Sequence, residues 1–200
     1  MIRLEVKMEQ VIKTLQGLSH KVFSTPLMRE LGIYMVSSTQ RKIRDNIPPP
    51  NSPLTQAVKQ NNLTLRDTGR LLNSITYQAS PHQVVVGTNL IYAPIQQLGG
   101  TIKPKKAKKL WIPAGAHTRK LLRRYGTPQR VVEGLKSEGY RVWISKSKRA
   151  VLYAKRGGSP QVLFVLKEQV DIPARPFLKI DREDEKMITE IVKDFVIGAL

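Results

Sequence analysis

The apolar residues of this chain change period twice, and that change limits the fold more than any other feature. Residues 8–23 place Met8, Val11, Ile12, Leu15, Leu18, Val22 and Phe23 in steps of three and four, one face of a helix. Thr25-Pro26 interrupts, and Pro26 suits the first turn of a second helix that runs to about Asp45 with Leu27, Leu31, Tyr34 and Met35 inward. The period then falls towards two. Ile75–Ala79 and Val84–Gly87 read as a strand pair around Ser80-Pro81-His82-Gln83, and Lys109–Pro113, Tyr140–Ser145, Val151–Arg156 and Gln161–Leu166 as further short strands. Steps of three and four return at Met187, Ile188, Ile191, Val192 and Phe195. They follow an Asp181 cap and the acids Glu183, Asp184 and Glu185, which suit the first turn of a helix. Helices, then strands, then a helix predict an α+β fold, an antiparallel sheet packed by the N-terminal and C-terminal helices.

The connections are read from punctuation. Pro48-Pro49-Pro50 stops the second helix, and residues 46–66 read as an extended, mobile loop. Asp67 is a candidate N-cap for a short helix carrying Leu71, Leu72 and Ile75. Tyr92–Leu98 reads as a short helix ended by Gly99-Gly100, with Tyr92, Ile95 and Leu98 packing together under the sheet. His117–Tyr125 fits a helix with its arginines outward, and Gly126–Gly139 a flexible excursion. A chain of 200 residues suits a single domain: N-terminal helices over 1–45, the loop over 46–66, a basic insertion over 101–160 and a C-terminal helix over 181–198.

Charge is distributed unevenly. The chain has 34 Lys and Arg against 15 Asp and Glu, a formal net charge of +19. Residues 1–100 hold 11 basic and 5 acidic side chains, residues 101–160 hold 17 and 2, and residues 161–200 hold 6 and 8. A concentrated basic block is an electrostatic footprint for a polyanion. The competing reading is a solvated surface that keeps the protein soluble.

Composition excludes several chemistries. With no cysteine, disulfides, thiolate metal sites and cysteine catalysis are ruled out. His20, His82 and His117 are isolated from one another, without metal-ligand spacing. The basic block offers only Glu133 and Glu138 as carboxylates, too few for the divalent-metal cluster of a typical nuclease. Gly99-Gly100-Thr101-Ile102-Lys103 lacks the spacing of a phosphate loop, and there is no GxSxG elbow. Nothing here points to an enzyme or a cofactor. No apolar run approaches the roughly 18 to 20 residues that span a bilayer, and MIRLEVKMEQ lacks a signal-peptide core. The expectation is a protein of a cytoplasm-like compartment with no membrane partner.

Three islands carry a resemblance: LRDTGRLLNSITYQ over Leu65–Gln78, VVVGTNLIYAPIQQLGGTIKP over Val84–Pro104, and IPARPFLKI over Ile172–Ile180. In order, spacing and combination they resemble the phage virion morphogenesis family, the tail-completion proteins of Mu-like and P2-like tailed phages. The motif positions are Asp67, Thr68, Gly69, Leu71, Ser74, Gly87, Tyr92, Gln97, Gly99, Gly100, Arg175, Pro176 and Phe177. Gln96 stands where the family pattern has histidine, and Thr101–Pro160 is long and unusually basic for the family.

The resemblance implies a structural role without catalysis, in the tail or neck of a virion and in the host cytoplasm during assembly. It further implies a homo-oligomeric ring with other tail or neck proteins as partners. Any contact with DNA is expected to be weak and sequence-independent. The residues expected to face a polyanion are Lys103, Lys105, Lys106, Lys108 and Lys109, then Arg119, Lys120, Arg123 and Arg124. Arg175, between two prolines, has two readings: a clamp on backbone carbonyls or a carboxylate within the chain, or a contact between subunits. The alternative function is a basic, sequence-independent nucleic-acid-binding protein. Against it stand Trp111, Tyr125, Tyr140, Trp143 and Tyr153, which occupy strand-like or helical positions that suit a core.

Overall fold

The computed structural model describes residues 2–6 and 24–198. The helix expected over 8–23 lies outside the described residues. The architecture is mixed α and β, with seven helices and antiparallel sheets among the described residues. The chain divides into two compact units: the first is Met1–Pro49, Thr64–Gly99 and Pro173–Leu200, the second Pro50–Leu63 and Gly100–Ile172.

The first unit holds β1 (Ile2–Val6), α1 (Thr25–Arg44), α3 (Arg70–Asn73), β2 (Thr76–Ser80), β3 (Gln83–Thr88), α4 (Ala93–Leu98) and α7 (Arg182–Ile197). Its sheet is antiparallel in the order β1-β3-β2, with Thr76 opposite Gly87 and Ser80 opposite Gln83 across the hairpin. Helix α1 begins with a proline in its first turn and ends with Arg41, Lys42 and Arg44, where the helix dipole favours cations. It buries Leu27, Met28, Leu31, Met35 and Ile43 in one cluster with Val84 and Val86 of β3 and Ile188 and Val192 of α7. Gly32 permits that packing, since a Cβ there would lie 2.3 Å from Cδ2 of Tyr77 on β2. Helix α7 is capped as expected: the Asp181 carboxylate accepts from Asp184 N–H at 3.1 Å, and Asp184 returns the bond to Asp181 N–H at 3.0 Å. Ile188 and Val192 are buried, whereas Met187, expected inward, is exposed.

The second unit holds α2 (Pro53–Lys59), β4 (Gly100–Ile102), β5 (Leu110–Pro113), α5 (Ala116–Tyr125), α6 (Pro128–Ser137), β6 (Arg141–Ile144), β7 (Ala150–Ala154), β8 (Gln161–Lys167) and β9 (Val170–Ile172). A four-stranded antiparallel sheet runs β5-β8-β7-β6, and β4 pairs separately with β9. Leu121, Val131 and Leu135 of α5 and α6 pack on Val151, Tyr153, Leu163 and Phe164 of the sheet. Two segments differ from expectation. Residues 46–66 contain α2, started by a Ser52 side chain that accepts from Thr55 N–H, with a proline in the first turn. Residues 126–139 contain α6 rather than a flexible excursion, started in the same way by Thr127 with Pro128 behind it. Val131 and Leu135, four residues apart, supply its buried stripe.

Candidate functional site

The three sequence islands meet inside the first unit, apart from residues 100–104 and Ile172, which belong to the second. The first turns at Gly69, whose φ of 80° is left-handed, and α3 is a single helical turn. Gly69 therefore takes the N-cap position expected for Asp67 and makes no side-chain cap. Asp67 and Thr68 are exposed, while Leu71 is buried. At the far end of α3, Ser74 Oγ donates to Leu71 O at 2.9 Å and shares a 2.7 Å hydrogen bond with Thr88 Oγ1. Thr88 Oγ1 also accepts from Leu90 N–H at 3.3 Å. Two hydroxyls thus join the first island to the second where β3 ends. Gly87 lies in β3 opposite Thr76.

Gln97, on α4, joins the second island to the third. Its Nε2 donates to Leu178 O at 2.8 Å, and its Oε1 accepts from Phe177 N–H at 2.9 Å and Leu178 N–H at 3.0 Å. One side-chain amide thereby replaces a strand partner for a segment that has none, which satisfies backbone groups beside the buried Phe177 and Leu178. Arg175 N–H donates to Gln96 O at 2.8 Å. That contact uses a backbone carbonyl, so glutamine in place of histidine at this position leaves it intact. Arg175 Nε donates to Pro49 O at 2.8 Å from a side chain that is buried, and burial pushes its pKa below the ordinary arginine value. The side chain clamps a backbone carbonyl of its own chain, and Pro176 beside it stays exposed. Gly99 ends α4 with φ of 72°, and Gly100 follows at 146°. Tyr92 and Leu98 do not pack under the sheet. Tyr92 is 42% exposed, Leu98 73% and Ile91 96%, and Ala93 is the residue α4 buries. A six-residue helix presents one small face, and alanine fits it.

A second polar cluster was not visible as such in the sequence. Asp184 is completely buried between α1 and α7 and accepts from Lys42 Nζ, Ser38 Oγ and, at 3.1 Å, Tyr34 Oη. Lys42 Nζ also donates to Lys179 O at 3.0 Å and lies 3.2 Å from an Asp181 carboxylate oxygen. Burial by itself would raise the Asp184 pKa. The hydrogen bonds from Lys42, Ser38 and Asp181 N–H outweigh it and hold the carboxyl at about 2. Burial first, and the neighbouring carboxylate second, raise Tyr34 above the ordinary tyrosine value. The cluster is saturated with internal partners, which makes it a fastening between helices. Among the described residues no group of three or more His, Asp or Glu side chains is placed to hold a metal ion.

The basic residues lie in the second unit, which holds nineteen Lys and Arg against four Asp and Glu. Lys103, Lys105, Lys106 and Lys108 are exposed on the connection from β4 to β5. Lys109 donates to Lys148 O at 3.2 Å and lies 3.8 Å from the exposed Glu168. On α5, Lys120, Arg123 and Arg124 are exposed and Arg119 is half-buried. Arg124 stacks over Tyr125 at 5.1 Å and lies 3.5 Å from Glu138, which also accepts from Tyr125 Oη at 2.6 Å. Glu138 is thus tied to its neighbours, and Glu133 sits exposed on α6.

The phage virion morphogenesis family matches residues 6–151, which take in the first two islands and most of the basic stretch and end before Ile172. The Mu-like prophage FluMu G protein 2 of Haemophilus influenzae is 32% identical over 120 residues, covering 57% of this chain and 80% of that relative. No solved structure matches the chain. A match over most of the chain, with the motif residues of its islands locked together by Ser74, Thr88 and Gln97, shows that the chain belongs to the phage virion morphogenesis family, with a role in phage morphogenesis.

Proposed function

We propose that the chain is a non-enzymatic structural protein of the virion tail or neck, acting in tail completion and head–tail joining as a subunit of a homo-oligomeric ring. The observation that carries this reading is the meeting of the three islands in one hydrogen-bonded framework. There Leu71, Ser74, Gln97, Arg175 and Phe177 serve packing and satisfaction of the backbone, as expected of a scaffold. The second island also leaves Ile91, Tyr92 and Leu98 facing outward, apolar surface of the kind that subunit interfaces cover. Identical subunits joined by such a patch through a heterologous contact close into a ring when the rotation permits.

The exposed lysines Lys103, Lys105, Lys106 and Lys108, with Lys109 beside them, and the basic face of α5 then line a lumen traversed by DNA or dock on an acidic virion neighbour. Phosphate contacts position without reading sequence, and duplex DNA offers about one charge per 1.7 Å of axis. No helix among the described residues is long and apolar enough to cross a membrane. The excess charge of the second unit favours one further reading, a nucleic-acid-binding protein that works outside the virion.

Deletion of the gene in an inducible phage, with electron microscopy of the lysate, separates the two. Unjoined heads and tails, restored by the wild-type chain and with the chain present in purified tails, support the virion reading. Intact virions lacking the chain, together with tight duplex binding by the free protein in gel shifts, support the other.

A further inference from the structure

One strip of the second unit's core face is left uncovered. Strand register puts Trp111 opposite Leu166, Pro113 opposite Phe164 and Ile144 opposite Val151, all on the face that α5 and α6 cover. The helices bury Val151 and Phe164, but Ile144 at the end of β6 remains 52% exposed. Trp111, Ile144 and Leu166 form the floor of an open groove of about 450 Å³, and Lys108, Lys109, Lys146 and Lys148 line its rim. The turn from β6 to β7 supplies two of those lysines and the connection into β5 the other two.

The groove therefore joins an apolar floor to a cationic rim, and its complement is a segment that is apolar at one position and acidic around it. Among the described residues, neither a second copy of this unit nor the densest acidic run supplies that segment. A second copy of this unit brings nineteen basic residues against four acidic ones and is repelled. Three of the four acids in the run at the start of α7 are engaged: Asp181 and Asp184 hold Lys42, and Glu183 pairs with Arg41 at 3.1 Å. Nucleic acid would supply the charge but fits the floor poorly. Bases bind strands by stacking on open aromatic faces, whereas Ile144 and Leu166 are aliphatic and Trp111 is packed on Phe164 at 5.5 Å between centroids.

We propose that this groove docks an acidic segment of another protein, a large apolar side chain seating on Trp111, Ile144 and Leu166 while flanking Asp or Glu side chains pair with the four lysines. It rests on the virion reading only in taking that protein to be a virion component; the chemistry of the groove stands without it.

The test uses the full-length chain in a Trp143→Phe background, so that Trp111 is the sole fluorescent indole. Three probes are titrated: a short Asp/Glu-rich peptide with a central Leu-Phe pair, the same peptide with Ser-Ser at that pair, and oligothymidylate. The first peptide is expected to shift Trp111 emission and to bind about tenfold tighter than the second. Ile144→Ser should remove that advantage without changing the second peptide's affinity, and Ile144→Ala serves if the serine variant loses its strand signal. Lys108→Gln with Lys146→Gln should weaken both peptides and reduce their salt dependence. Equal affinity for the two peptides overturns the proposal, and so does oligothymidylate binding that is as tight as the first peptide's and insensitive to Ile144→Ser. The same variants in phage separate the two readings. Peptide selectivity in a protein absent from virions removes the virion reading and keeps the groove, whereas virion incorporation without selectivity removes the groove alone.

Discussion

The two units solve different problems. In the first, Lys and Arg exceed Asp and Glu by fifteen to eleven, and its defining contacts join residues far apart in sequence. Gln97 reaches Leu178 across 81 residues, and Ser38 reaches Asp184 across 146. In the second, nineteen basic residues face four acidic ones, and the main sheet grows from neighbouring strands, β6 to β7 to β8. The first spends its polar side chains on one another and leaves apolar ones outside on the second island. The second holds its core with aromatic and aliphatic packing and carries most of its charge on exposed side chains. One unit is thus specified by interlocks and the other by its surface.

Both tryptophans, Trp111 and Trp143, lie in the second unit, so indole fluorescence follows that unit alone and each variant can be assigned. The largest effect is expected from Asp184→Ala, which strands the Lys42 ammonium without its buried partner, at a cost of about 4 kcal/mol. Helical circular dichroism should melt early while tryptophan emission persists. Simultaneous loss of both signals would break the division into two units.

The same carboxyl makes the first unit acid-sensitive. Its folded pKa of about 2 lies below the unfolded value, so its contribution of about 2 kcal/mol is complete above pH 5. It is lost as pH falls from about 4 to 2, because the unfolded chain takes up the proton first. Denaturant midpoints measured across that range should fall, and in Asp184→Ala this component of the fall should vanish.

Gln97→Ala leaves two N–H groups and one carbonyl of Phe177 and Leu178 unpaired, and should cost about 3 kcal/mol. Gln97→Glu keeps the acceptor and loses the donor, so it should fall between wild type and alanine in thermal denaturation. Gly32→Ala gains helix propensity but drives a Cβ into the Tyr77 ring, for a net loss of about 1 kcal/mol. A stabilised variant would show that α1 can move off the sheet. The smallest effect on stability, within about 0.5 kcal/mol, is expected from replacing Lys103, Lys105, Lys106, Lys108 and Lys109 with glutamine. That variant should nevertheless elute from heparin at clearly lower salt and fail to restore head–tail joining. Unchanged elution would mark the run as merely solvated.

The sequence made local structure legible and long-range chemistry illegible. Period and capping placed α1, the β2–β3 hairpin, α4, the strands β5 to β8 and α7 with its Asp181 cap. The two helices that sequence reading overlooked carried the same cue, Ser52-Pro53 and Thr127-Pro128. It was obscured by three prolines before the first and by Gly126, Gly134 and Gly139 around the second. The motif islands could be seen to belong together, but what Gln97 bonds could not, since its partners lie 80 and 81 residues away and follow no period. Asp184 looked sufficiently explained as a cap residue. Its second role needs Lys42, 142 residues earlier, which reads as one more cation in a helix's last turn.

The division of the first unit among three stretches of chain bears on how the protein is born. The β6–β7–β8 meander is complete in sequence by Lys167 and its contacts are short in sequence, so it can form without the last stretch of the first unit. Helix α1 must wait, its buried Leu27, Met28 and Leu31 unpaired with Ile188 and Val192 until the last stretch emerges. A chain cut after Ile172 would therefore hold a complete basic unit and an unfinished frame that still exposes apolar surface. Completion of the frame, which also carries Ile91, Tyr92 and Leu98, thus waits for the stretch that begins at Pro173.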